Sequence, residues 1–123
     1  DRSLVGSEMC IRDSLNSFES DETFDLIHSM EVMYYLENPA ETIKKISESW
    51  LKPGGRLIVG IDHYYENKAS HSWQEKVGTP MLMLKEKEWL NIFKDSGLNE
   101  VEYWRSNDSD NWAGTLVLTG KKK

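Results

Sequence analysis

The sequence predicts a single α/β domain in which parallel strands flank a helix and an antiparallel hairpin closes the sheet. Residues 57–61 (LIVGI) are an uninterrupted apolar run, as a strand buried on both faces requires. A well-delimited helical segment precedes this run, and two strand-like segments near the C-terminus are joined by too few residues for a crossover helix. With 123 residues, 38% of them hydrophobic, the chain has room for one modest core.

The amino-acid composition of two short segments predicts the first strand and the turn before the second strand. Residues 23–29 (TFDLIHS) are rich in apolar side chains and follow a polar stretch, which indicates a strand entered from a loop. In residues 53–55 (PGG), the proline fixes its backbone φ and the two glycines tolerate conformations that other residues avoid. This combination predicts a turn ahead of the second strand. A strand, a helix and a second strand in this order imply a right-handed parallel crossover.

The helix between these strands is predicted from its cap and its apolar stripe. Asn38 can cap it, Pro39 suits the first helical position, and Glu41 can return its side chain to the amide of the cap. The stripe consists of apolar side chains at spacings of three and four: Ile43, Ile46 and Trp50. We expect this helix to end at Pro53.

The C-terminal part predicts a second helix and the closing hairpin. Residues 85–96 form an amphipathic segment, and residues 98–105 and 115–119 are strand-like. The connection between these two strands is short, so they should be antiparallel. Along the first of them, Val101 and Tyr103 alternate with Glu102 and Trp104, as in a strand.

Charge and hydropathy exclude several classes of partner. The formal charge of −6 opposes binding to nucleic acid and to anionic membrane surfaces. No apolar run reaches the roughly 20 residues that cross a bilayer, and no signal-like segment opens the chain. The basic residues at 121–123 are interpreted as a solvated tail. We therefore expect a cytoplasmic protein with no nucleic-acid and no membrane partner.

The N-terminal segment is a special case. Residues 4–13 (LVGSEMCIRD) resemble one reading frame of a transposase adaptor used in sequencing libraries. We interpret residues 1–14 as a non-native segment and residues 15–123 as a partial domain, so Cys10 carries no information about the redox compartment. The alternative is a genuine N-terminal strand or arm.

Three further segments resemble the second half of class I S-adenosylmethionine-dependent methyltransferases, whose fold is Rossmann-like. They are FDLIHSMEVMYYLENP at 24–39, LKPGGRLIVG at 51–60 and GTLVLTG at 114–120. More narrowly, IHSMEVMYYL at 27–36 together with WQEKVG at 73–78 is similar to histamine N-methyltransferase and its bacterial relatives. The resemblance implies an enzyme that transfers a methyl group from S-adenosylmethionine to a small-molecule acceptor, and the narrower similarity implies an amine.

The sequence departs from that family in one large respect. Class I enzymes grip the cofactor through a glycine-rich loop after the first strand and an acidic residue after the second, and the sequence shows neither feature. Gly54 and Gly55 do not replace the loop because they precede a strand. We therefore expect the C-terminal half of the fold, with weak cofactor binding and no activity by this chain alone.

Ligands of open parallel sheets bind beyond the carboxyl ends of the strands. We therefore expect the site at residues 29–35, after the first strand, and at residues 62–65, after the second. By resemblance, Ser29 and Met30 contact the cofactor. The alternative for Met30 is simple packing under the helix.

The resemblance assigns Glu31, Tyr34 and Tyr35 to the acceptor. A carboxylate can orient or deprotonate an ammonium group, and aromatic faces attract a cation by about 0.5–2 kcal/mol. Alternatively, Tyr34 and Tyr35 are core aromatics whose hydroxyls reach the surface. Methyl transfer depends on alignment of the nucleophile with the methyl group rather than on a catalytic triad, so no catalytic residue is assigned.

The long polar and aromatic loop at 62–80 completes the candidates. Trp73 is either a lid over the acceptor or a surface anchor, and His63 is either a general base or an exposed loop histidine. The histidines and acids here are too irregularly spaced to fix metal geometry, so we expect no metal. A noncatalytic module remains as an alternative function, with a protein partner contacted by loop aromatics: Tyr64, Tyr65 and Trp73.

Overall fold

The structure, a computed structural model, describes residues 3–5 and 23–123, and these residues form one five-stranded mixed sheet. The strands are β1 (Ser3–Val5), β2 (Phe24–Met30), β3 (Leu51–Ile61), β4 (Asn99–Ser106) and β5 (Thr115–Lys121). Their order in the sheet is β1-β2-β3-β5-β4. The first three run parallel, whereas β5 runs antiparallel to both β3 and β4. The predicted α/β fold with a closing antiparallel hairpin is confirmed.

Three α-helices accompany the sheet in the described part of the chain: α1 (Pro39–Lys45), α2 (Trp73–Val77) and α3 (Glu86–Asp95). The Asn38 side chain accepts a hydrogen bond from the Glu41 amide at 3.2 Å, as its position predicts. A π-helical turn (Ile46–Trp50) extends α1 but stops short of the expected end, because Leu51 already pairs with Phe24 in the sheet. None of these helices combines the length and apolarity needed to traverse a bilayer.

The PGG segment is part of β3 rather than a turn ahead of it. The β2–β3 register is irregular between Phe24 and Leu26, opposite this segment. Gly54 takes a left-handed φ of 84°, and a Cβ at Gly55 would lie 2.8 Å from the Lys52 carbonyl oxygen. Glycine therefore lets the strand pass through a bulge without breaking, and the expected separate turn is corrected to a bulge within β3.

The core lies between the sheet and the helices that pack on it. α3 contacts α1, β4 and β5, and its Trp89 and Phe93 side chains are completely buried. β4 is the outer strand of the closing hairpin, and its Tyr103 and Trp104 side chains are 47% and 48% exposed. The alternation along β4 therefore does not produce one buried and one exposed face at these two residues, because the edge of the hairpin is not covered as an inner strand would be.

The interpretation of residues 1–14 as non-native falls mostly outside the described residues. Within them, Ser3–Val5 pairs in parallel with β2 along Leu26 to His28. From the adaptor resemblance of residues 4–13, we expect this pairing to add nothing to stability, so deleting residues 1–14 should leave the melting temperature unchanged. Thermal unfolding followed by circular dichroism checks this, and a clear fall in melting temperature would show that β1 is a native strand.

Candidate functional site

Two acidic side chains follow the neighbouring parallel strands β2 and β3. Met30 at the end of β2 pairs in register with Gly60 of β3, so Glu31 and Asp62 emerge at the same edge of the sheet. The Glu31 amide donates a hydrogen bond to the Gly60 carbonyl oxygen at 2.8 Å. Glu31 has a φ of 60°, a left-handed conformation that non-glycine residues seldom adopt. At this residue the backbone leaves the sheet, and Glu31 lies beside Asp62.

The Glu31 side chain is held by two donors and lies against a second carboxyl group. Its Oε1 accepts hydrogen bonds from the Tyr34 hydroxyl at 2.9 Å and from the Asp62 amide at 2.9 Å. The pKa of Glu31 is raised to about 7, first by burial and then by the charge of Asp62, against the lowering effect of the Tyr34 donor. We call Glu31 and Asp62 the carboxyl pair.

Asp62 is fixed by two further segments of the chain. Its Oδ1 accepts a hydrogen bond of 2.6 Å from the hydroxyl of Thr115, the first residue of β5. Its carbonyl oxygen accepts one of 2.8 Å from the Asn67 side-chain amide, and the Asn67 Oδ1 accepts one of 3.3 Å from the Ala113 amide. The buried Asn67 side chain thus ties the carboxyl pair to the β4–β5 connection. Asp62 lies within a predicted site segment, but no sequence signal pointed to Asn67.

A row of five rings lies next to the carboxyl pair. Ring centroids are separated by 4.8 Å from Tyr35 to Tyr34, 5.4 Å from Tyr34 to His63, 6.0 Å from His63 to Trp73 and 5.8 Å from Trp73 to Trp112. We call these five side chains the aromatic row. Four of them are predicted site residues, which the fold brings together from three segments. Trp112, from the β4–β5 connection, was not singled out by the sequence.

Hydrogen bonds and burial hold the loop after β3, although its polar composition suggested an exposed loop. His63 is 2% exposed and its Nδ1 donates to the Ser70 carbonyl oxygen at 3.1 Å, so it is a buried residue rather than an exposed loop histidine. Burial lowers the pKa of His63 and keeps the ring neutral. Tyr64 is also buried, with its hydroxyl donating to the Gly114 carbonyl oxygen at 2.8 Å. Of the aromatics proposed to contact a protein partner, Tyr65 alone has a mostly exposed side chain.

The described residues contain no group of three or more His, Cys, Asp or Glu side chains that could hold a metal ion. Among the described residues, this edge of the sheet carries the carboxyl pair, the Tyr34 hydroxyl and the faces of the aromatic row.

Residues 4–103 match the family of methyltransferase domains. The chain belongs to this family. A comparison with curated protein sequences finds no match. With the α/β sheet and its closing hairpin, this membership establishes a methyltransferase domain of the class I fold.

Solved methyltransferase structures resemble the domain closely. One is a Haloferax volcanii protein, described as a methyltransferase, in complex with the Trm112 methyltransferase activator. It has a TM-score of 0.72 and 28% identity over 88% of this chain and 58% of that one. The N-methyltransferase NodS from Bradyrhizobium japonicum, in complex with S-adenosyl-L-homocysteine, has a TM-score of 0.64 and 24% identity over 89% of this chain and 51% of that one.

A Thermotoga maritima protein, described as a possible histamine N-methyltransferase, has a TM-score of 0.64 and 22% identity over 85% of this chain and 58% of that one. At these identities the Thermotoga and NodS structures establish the fold alone. The methyltransferase domain described here spans 51–58% of the length of the three solved chains.

The predicted cofactor residues occupy the end of β2 in this methyltransferase domain. Ser29 is 3% exposed, and its hydroxyl oxygen has no hydrogen-bond partner among the described residues. Met30 is 47% exposed rather than packed under a helix, and its sulfur covers Gly60 so closely that a Cβ there would lie 2.2 Å away. An unpartnered polar atom and an exposed thioether at the carboxyl end of a parallel strand fit contact with a cofactor.

Proposed function

We propose that the protein transfers a methyl group from S-adenosylmethionine to a small cationic amine, and that this chain supplies the acceptor side of the site. The carboxyl pair carries the proposal. Two acids at the ends of adjacent parallel strands, one of them with a pKa of about 7, suit an ammonium group and repel an anionic acceptor. The remaining cofactor contacts would come from outside the described residues.

S-adenosylmethionine supplies an electrophilic methyl group when it is bound. An amine attacks that group only with a free lone pair, so an ammonium ion must first lose a proton. Glu31 is matched to accept this proton at neutral pH, because its pKa is raised to about 7. Burial raises the pKa of Tyr34, so its hydroxyl stays protonated and continues to donate to Glu31.

The aromatic row adds a second attraction for a cation. Aromatic faces stabilise a nearby cation by about 0.5–2 kcal/mol, more as water is excluded. Tyr35, at one end of the row, is partly buried and borders a cavity of about 250 Å³. The other residues around this cavity are Leu36, Glu37, Pro80, Met81 and Leu82. Two of the similar solved structures are described as N-methyltransferases, one of them as a possible histamine N-methyltransferase, which agrees with an amine acceptor.

The proposal is tested by methyl transfer to two matched acceptors in the full-length gene product. Phenethylamine should be methylated, whereas 2-phenylethanol, which has a similar shape but no positive charge, should not. Glu31→Gln should lower kcat/KM for the amine by about 100-fold or more, because it removes the proton acceptor. The affinity for S-adenosylmethionine, measured by calorimetry, should stay within about threefold, since general-base loss acts on the acceptor.

The matched control is Glu102→Gln, which removes one negative charge from the exposed edge strand β4. It should leave both measurements unchanged. Comparable methylation of the alcohol, or parallel loss of cofactor affinity in Glu31→Gln, would contradict an amine site at the carboxyl pair.

A further inference from the structure

We propose that Trp112 is a specificity-determining residue of the acceptor site: its indole ring closes one end of the aromatic row and limits the length of the amine that the site accepts. The inference rests on the proposed function because it concerns the same amine. It goes further by assigning a role to a residue outside the predicted site segments and by restricting the acceptor to short amines.

Trp112 lies where the aromatic row meets a second cavity. Its ring stacks on that of Trp73, with 5.8 Å between the ring centroids and 29° between the ring planes. Trp112 also borders a cavity of about 300 Å³, which is surrounded by residues 66–69 of the loop after β3 and residues 109–113 of the β4–β5 connection. Small-molecule sites occupy roughly 300–1,000 Å³, so this cavity could take up a further part of an acceptor if the indole ring were removed.

Hydrogen bonds fix the position of Trp112 relative to the carboxyl pair. Each of the three residues that follow it, 113–115, makes one hydrogen bond to the loop after β3, at 3.3, 2.8 and 2.6 Å. Their partners are, in the same order, Asn67, Tyr64 and Asp62. The last of these partners belongs to the carboxyl pair. Trp112 is therefore held at a set distance from the pair, as a residue that limits the length of a ligand must be.

The aromatic row gives the direction in which the acceptor extends. An ammonium group at the carboxyl pair lies beside Tyr34, whose hydroxyl donates to Glu31. From His63 to Trp112 the rings are stacked, with 24° and 29° between successive planes. Tyr34, by contrast, is tilted by 35° to Tyr35. Stacked rings offer a continuous apolar surface, so the apolar part of the amine extends along them towards Trp112.

The test compares two amines of different length in the full-length gene product: phenethylamine and 4-phenylphenethylamine, which carries a second phenyl ring. The wild type should methylate the shorter amine and discriminate against the longer one. In Trp112→Ala, the ratio of kcat/KM for the longer amine to kcat/KM for the shorter should rise by about tenfold or more, because the second ring can then enter the cavity. The kcat/KM for the longer amine should also exceed that of the wild type. A merely structural role of Trp112 would lower methylation of both amines together.

Three further variants accompany Trp112→Ala. Trp112→Leu is a smaller truncation and should shift the ratio in the same direction by a smaller factor. Trp112→Phe keeps an aromatic ring and should stay closest to the wild type. Tyr35→Ala removes a ring from the opposite end of the aromatic row and should not raise the ratio. Trp112 is only partly buried, so its variants should fold, and thermal unfolding by circular dichroism checks this.

The outcomes distinguish this inference from the proposed function. Methylation of phenethylamine with an unchanged ratio in Trp112→Ala and Trp112→Leu would overturn the role of Trp112 and leave the amine assignment standing. Equal methylation of both amines by the wild type, or a rise of the ratio in Tyr35→Ala instead, would do the same. Absence of methylation of either amine by the wild type would overturn both.

Discussion

Relative to the wild type, a Glu31→Gln variant of this chain should become more stable by about 3 kcal/mol as the pH rises from 4.5 to 8. The folded state raises the pKa of Glu31 from 4.5 to about 7, so between these values it holds a proton that the unfolded chain has released. The stabilisation from that proton is complete below pH 4.5 and is lost as the pH passes through 7. Glutamine does not titrate, so the Glu31→Gln variant does not lose this stability as the pH rises. Urea unfolding at several pH values measures the difference.

The difference in unfolding free energy between Glu31→Gln and the wild type isolates the contribution of Glu31, which the wild-type pH profile alone does not. His63 has a lowered pKa, so its contribution to stability is lost as the pH falls, opposite in sign to that of Glu31. Subtracting the Glu31→Gln curve cancels the His63 contribution. Glu102→Gln, on the exposed edge strand, should run parallel to the wild type. Parallel curves for Glu31→Gln as well would show that Glu31 has an ordinary pKa.

Tyr34→Ala should destabilise the chain by about 3–5 kcal/mol, as truncation of a large buried aromatic does. The Tyr34 side chain is 3% exposed, and its backbone carbonyl accepts a hydrogen bond of 2.7 Å from the Leu82 amide. This environment corresponds to the core alternative that the sequence left open for Tyr34. Denaturant unfolding at pH 8 measures the loss.

Tyr34→Phe separates the ring from its hydroxyl. It should cost about 1–2 kcal/mol at pH 8, because Glu31 is then charged and loses one donor. The same change should raise the pKa of Glu31, since the Tyr34 hydrogen bond lowers it, and carboxyl carbon NMR would follow this titration. Tyr35→Ala is the matched control for ring removal and should cost less than Tyr34→Ala, because Tyr35 is only partly buried. Equal costs for the two alanine variants would contradict this account.

Local chemistry made the main elements predictable. The cap of α1 depends on Asn38, Pro39 and Glu41, which lie within one helical turn, so their interactions can be inferred from spacing. The bulge in β3 and the exposure of Tyr103 depend on which strands lie alongside, and these strands are distant in sequence. The sequence pattern therefore predicted a turn at residues 53–55 and a strand at residues 98–105, without indicating that β3 continues through the glycines or how much of β4 is covered.

The candidate site, too, was predictable from the sequence only in part. The rule that ligands meet the carboxyl ends of parallel strands selected the segments that contain Glu31 and Asp62. Their contact required the register of Met30 with Gly60 and the left-handed backbone at Glu31, neither of which a local pattern encodes. The link from Asn67 to Ala113 joins residues 46 positions apart, so it becomes visible only in the folded chain.

Glu31 lowers the stability of the fold in two ways, although the proposed function needs its side chain. A left-handed φ costs a non-glycine residue roughly 1 kcal/mol or more, and glycine would adopt it freely. Burial of an acid that ionises near pH 7 adds a second cost at neutral pH. Glu31→Gln keeps an oxygen that can accept both hydrogen bonds, and it would remove the second cost together with the proton acceptor. A substitution that improves folding at neutral pH in this way therefore abolishes the proposed chemistry, which makes Glu31 a poor target for stabilising design.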